Sequence, residues 1–121
     1  MKLMTKVLQE RFENVGDQSE SKDPLFIAKF FNPVGSQTWY ASEYNPETKI
    51  CYGYVTGMYA DEWGTFSLNE LEDLKLPFGL GIERDIHFKE VRSSTIIEKD
   101  RMTELKNLQS QSDIDQDREQ G

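Results

Sequence analysis

The groups best suited to chemistry in this chain lie in one short segment, Ile82-Glu83-Arg84-Asp85-Ile86-His87-Phe88. Read as a strand, its alternation places Ile82, Arg84, Ile86 and Phe88 on one face and Glu83, Asp85 and His87 on the other. Arg84 on an apolar face demands a partner, because a buried guanidinium is costly unless it is paired and hydrogen-bonded. Glu43 is the first choice, since alternation in Trp39-Tyr40-Ala41-Ser42-Glu43-Tyr44 sets it on the face of Trp39 and Ala41. Such a pair would lock strand register or, alternatively, form a polar pocket in which Arg84 grips an anion. Glu83, Asp85 and His87 at i, i+2 and i+4 have the form of a mixed carboxylate–imidazole metal site. The same pattern describes an ordinary solvated strand face, and the chain holds a single histidine, so no metal and no cofactor are assigned.

Other catalytic templates find little to work with. The single cysteine, Cys51, lies inside Ile-Cys-Tyr-Gly-Tyr-Val, where a small buried hydrophobe is expected rather than a nucleophile paired with His87. One cysteine also excludes an internal disulfide and a cysteine-based zinc site. Gly79-Leu80-Gly81 lacks the strand–turn–helix context of a phosphate-binding loop. An enzyme remains an alternative without a recognisable mechanism.

Positioning such groups falls to a small domain. The chain has 121 residues, room for one core. Eleven of its fourteen Phe, Tyr and Trp residues fall between Phe26 and Phe66, in short runs with strand-like alternation. Leu3, Met4, Val7, Leu8, Phe12 and Val15 recur at helical spacing, which predicts a helix from Met1 to about Asn14. Strands are expected over Leu25–Phe31, Thr38–Tyr44, Ile50–Val55, Met58–Trp63 and Ile82–Phe88, most of them joined by connections too short for parallel crossovers. Ser67-Leu68-Asn69-Glu70 is a capping box opening a short helix that Pro77 ends. Thr95 and Glu98 suggest the start of a final helix with a stripe of Ile97, Met102, Leu105 and Leu108. The polar stretch 109–121 buries too little to offset its ordering entropy and is expected to be disordered, leaving a domain over 1–108. The fold class is therefore α+β: a single domain with an about five-stranded, mostly antiparallel sheet carrying N-terminal, middle and C-terminal helices.

The formal net charge of −8 argues against direct nucleic-acid binding and against an anionic membrane surface. No run approaches the length of a membrane span and the N-terminus lacks an apolar signal core, so a cytoplasmic location is expected. The acidity serves solubility; a sharper alternative is a surface that mimics DNA and inhibits a DNA-binding protein.

Several ordered motifs carry a family resemblance: Trp39-Tyr40-Ala41-Ser42-Glu43-Tyr44-Asn45-Pro46, Tyr52-Gly53-Tyr54-Val55, Gly64-Thr65-Phe66-Ser67-Leu68-Asn69-Glu70-Leu71, Pro77-Phe78-Gly79-Leu80 and Ile82-Glu83-Arg84-Asp85. Over roughly Leu3 to Phe88 the chain resembles domain-of-unknown-function family 2958. That resemblance implies a small bacterial protein, often of mobile genetic elements, and brings no catalytic residues with it. The resulting expectation is a non-enzymatic interaction or accessory module that binds another protein. Its candidate contact residues are Trp39, Tyr40, Glu43, Glu83, Arg84, Asp85 and His87. The alternative is a small-ligand or metal-dependent enzyme centred on Glu43, Glu83, Arg84, Asp85 and His87.

Overall fold

A computed structural model describes residues 2–120, with side chains through Ser110. The element order is α1 (Lys6–Val15), β1 (Leu25–Phe26), β2 (Ala28–Phe31), β3 (Thr38–Asn45), β4 (Ile50–Thr56), β5 (Glu62–Ser67), α2 (Leu68–Asp73), β6 (Glu83–Arg84), β7 (Val91–Arg92) and α3 (Ser93–Gln120). Five strands form one antiparallel sheet in the order β5-β4-β3-β2-β6, and β1 pairs with β7 in a separate ribbon. The expected α+β domain is present. The tail expected over 109–121 lies almost wholly outside the residues whose side chains are described.

Local chemistry moves several boundaries. Helix α1 starts at Lys6 rather than at the first residue because Thr5 caps it, its Oγ1 accepting from the Leu8 N–H at 3.1 Å. Gly16, at φ 72°, ends the helix by donating to the Phe12 carbonyl. Before Thr5, Leu3 is engaged in a tertiary bond: its N–H donates to Glu72 Oε1 at 2.9 Å, and it is fully buried.

The expected first strand, Leu25–Phe31, divides at Ile27, whose N–H donates to the Ala41 carbonyl. Phe26 faces the β7 ribbon, whereas Ala28–Phe31 joins the main sheet. The expected strand Met58–Trp63 is displaced to Glu62–Ser67. Gly57 takes φ 81° and donates its N–H to Asp61 Oδ1 at 3.2 Å, which bends the chain before the strand begins.

The capping box is present in its first half: Ser67 Oγ accepts from the Glu70 N–H at 3.3 Å. The last helix starts two residues before Thr95, and its cap is remote in sequence. Asp23 accepts from the Ser94 N–H (2.8 Å), Ser93 Oγ (2.8 Å) and Ser94 Oγ (2.7 Å). These bonds, those from Ser94 above all, hold the Asp23 carboxyl below the ordinary range.

Strand register sorts the aromatics onto both faces of the sheet. One face carries Phe30, Trp39, Ala41 and Cys51, and packs with Leu3, Phe12, Leu68, Leu71 and Ile82 into the main core. The other carries Tyr40, Tyr52, Tyr54 and Trp63. There Phe26 from β1 lies 5.2 Å from Tyr40 and 5.5 Å from Trp63, centroid to centroid, and Trp63 lies 5.6 Å from Tyr54. Phe26, fully buried, makes this second layer a core of its own.

Candidate functional site

Arg84 stands on β6 opposite Phe30, on the main core face, as its alternation with buried Ile82 requires. Its Nη1 donates to the Leu3 carbonyl at 3.0 Å, tying the N-terminal segment to the sheet. Glu43 is not beside it. Strand β3 is irregular between Ala41 and Glu43, where Ser42 forms a bulge, so Glu43 is turned to the face of Tyr52 while Tyr44 regains the core face. Glu43 Oε1 instead accepts from the Gln18 N–H at 3.0 Å. Register adds distance to the difference in face. Arg84 sits level with Phe30, while Glu43 lies past the Ala28–Ala41 pair, about four residues or roughly 13 Å along the strands.

The expected strand through Phe88 stops at Arg84. Asp85 forms an Asx turn, its Oδ1 accepting from the His87 N–H at 2.9 Å, and its carbonyl accepts from Phe88. Glu83 therefore lies opposite Phe31 in the sheet, Asp85 faces Lys29 Nζ at 3.7 Å, and His87 is exposed on the turn. Among the described residues no group of three His, Cys, Asp or Glu side chains is arranged to hold a metal ion. Burial pushes the Cys51 thiol up to about 12, so at neutral pH it is a packed, protonated group rather than a nucleophile.

Two of the candidate contact residues are packing groups by placement. Trp39 is 4% exposed in the main core. Tyr40 is half-buried, stacked on Phe26 with Lys29 Nζ 5.8 Å from its ring, and burial chiefly raises its hydroxyl pKa.

The polar connector hides a structural residue. Gln18 is buried; its Nε2 donates to the carbonyls of Leu25 and Ser42, and its Oε1 accepts from the Leu25 N–H at 2.7 Å. It clamps the connector across the bulge. Beside it opens a cleft of about 470 Å³ in which Glu43 meets Ser42, Tyr52 and Trp63. Neither Arg84, Asp85 nor His87 lines that cleft, so the charged residues singled out together are distributed over separate places.

The exposed apolar surface lies elsewhere. Tyr59 is entirely exposed and Met58 half so, on the turn that leads into β5. A depression of about 410 Å³ joins that turn to α3 through Ile97, Asp100, Arg101 and Glu104. Further along α3, Met102, Leu105 and Leu108 are all more than half exposed. The expected helical stripe is thus real but uncovered. Acid groups surround the depression: Asp61 and Glu104 add to partial burial in raising the Asp100 carboxyl pKa. Phe78, held at φ 64° on a one-turn 3-10 helix (Pro77–Gly79), is a separate exposed aromatic. Reading Met58–Trp63 as a strand concealed the Tyr59 turn; the Gly57…Asp61 spacing is the sequence signal that marks it.

The model of a family of proteins of unknown function, DUF2958, matches residues 2–113. The chain belongs to that family. The DUF2958 match reaches past the Leu3–Phe88 motifs into α3, so that helix as far as residue 113 lies within the matched region. No curated protein and no solved structure matches the chain. Among the described residues no helix is long and apolar enough to cross a membrane.

Proposed function

We propose that this DUF2958 protein is a non-enzymatic module that binds another protein through the surface shared by the Met58–Tyr59 turn and α3. The observation that supports the reading is the exposure of large apolar side chains on two elements that one depression joins through Ile97. A fully exposed tyrosine, an exposed methionine and an uncovered helical stripe lie on adjoining elements, with acidic groups between them. A grouping of large apolar side chains with a polar rim suits an interface more than it suits solvent. The dispersal of Glu43, Arg84, Asp85 and His87 favours this reading over a ligand-binding enzyme built on those groups. An accessory role on a bacterial mobile element, as the family resemblance implies, and the cytoplasmic location expected from the sequence are compatible with such a module.

A photo-crosslinking residue placed at position 59 in the native host tests the proposal, with position 34 on the β2–β3 turn as the comparison site. A recurrent protein adduct at position 59, absent from position 34 and lost on adding a Leu105→Glu change, is the expected result. Adducts indistinguishable between the two positions would overturn it. A DNA-processing enzyme captured in a strongly salt-sensitive complex would instead move the DNA-mimic reading forward.

A further inference from the structure

The two edges of the main sheet are treated differently. At one edge, β6 is two residues long; Asp85 turns the chain away and Arg84 is bonded to the N-terminal segment. At the other, β5 presents six residues, roughly 20 Å of strand, with a hydrogen-bonded neighbour on one side only among the described residues. Edges are commonly blunted by proline, lysine, an inserted bulge or extreme shortness. Glu62-Trp63-Gly64-Thr65-Phe66-Ser67 has no proline or lysine and pairs with β4 without interruption. At Gly64 no heavy atom lies within 4 Å of the place a Cβ would occupy, so the face of the strand is open there.

A groove of about 550 Å³ adjoins this strand, lined by Trp39, Phe66, Leu71 and Leu74 together with Met58 and Tyr59 of the turn. Glu62 and Glu70 also line it, and Asp61 adjoins it in the chain.

We propose that β5 is a docking edge to which an extended segment of a partner protein adds as a further strand. The proposal rests on the interaction reading above and names the partner's conformation and charge. Main-chain bonds to β5 would supply affinity, and alternate side chains would enter the groove. Those side chains are apolar; the flanking positions carry Lys or Arg, complementing Glu62, Glu70 and a molecule of net charge −8. The same charge disfavours a second copy of this chain as the occupant, because strand-to-strand pairing would bring two acidic rims together.

The test pans short random linear peptides against the full-length protein, then maps the enriched peptides by amide hydrogen exchange. The expected peptides alternate apolar and basic residues and slow exchange within Glu62–Ser67. N-methylation of alternate peptide amides, on the register that faces β5, is expected to weaken binding at least about tenfold. The variant Glu62→Lys, at an exposed position, is expected to weaken it as well, while melting with the wild-type profile. Acidic or helical peptides, or slowed exchange only in α3, would overturn the strand-addition proposal while leaving the interaction reading intact. No enrichment, alongside a positive crosslink from position 59, also overturns strand addition alone. Failure of both experiments overturns both readings.

Discussion

Arg84 shows how a charge on a core face is bonded elsewhere than to the Glu43 that strand alternation pairs with it. The Leu3 carbonyl accepts its Nη1 at 3.0 Å, so a backbone oxygen of a buried residue receives a charge-assisted bond. Replacing Arg84 with Met should cost about 1–3 kcal/mol, as expected when such a bond is removed from a partly buried site. A double-mutant cycle of Arg84→Met with Glu43→Gln should give additive changes in urea melts, within about 0.5 kcal/mol. A larger coupling would restore the Glu43–Arg84 pair. Glu43 was legible as a residue needing explanation, but its partner was not. One extra residue in β3 inverts the alternation on which the pairing rested. Gln18 was hidden for a related reason: within Asp-Gln-Ser-Glu-Ser, nothing local marks the residue whose partners lie at Leu25 and Ser42.

At the scale of elements, short-range chemistry set most of what could be read in advance. Ser67 caps as its place in the capping box suggests, and the aromatic runs form strands. The helix starts moved with their caps, Thr5 for α1 and the remote Asp23 for α3, and the strands that moved are those whose ends depend on a neighbouring turn. Gly57 with Asp61 delays β5, and Asp85 shortens β6 to two residues. Gly53 marks a further constraint that alternation alone conceals. It sits in β4 opposite Ala41, and an added Cβ would land on the Tyr40 carbonyl, which is backbone and has little freedom to yield. Gly53→Ala should therefore destabilise the domain by about 1–3 kcal/mol or more, the usual range for overpacking. Unchanged thermal melting of that variant would mean that β3 and β4 pack less closely than described.

Over the whole molecule, residues distant in sequence close the structure. Asp23 receives three bonds from Ser93 and Ser94, joining the connector before β1 to the start of α3. Its folded-state pKa is depressed, so the unfolded chain binds the proton more readily and stability rises with pH across this carboxyl's titration. The contribution is present above the unfolded value, near 4, and fades as pH falls through the lower folded value. Asp23→Asn should lower Tm at pH 7, with the difference from wild type shrinking progressively in acid. A deficit that stays constant with pH would show that the hydrogen-bonding shape, rather than the charge, matters.

Composition and periodicity by themselves determined a small acidic α+β domain, its strand-rich aromatic middle and its helical flanks, and the ordered motifs carried the resemblance to its family. Those properties depend on residue type and on spacing within a few positions, which the chain carries locally. Only the tertiary structure decided which carboxylate faces which cation, that aromatics fill both sides of the sheet, and that Met102, Leu105 and Leu108 of α3 stay uncovered. Each of these depends on register or on docking between segments tens of residues apart. A single bulge or turn reverses such a relationship without altering any local pattern.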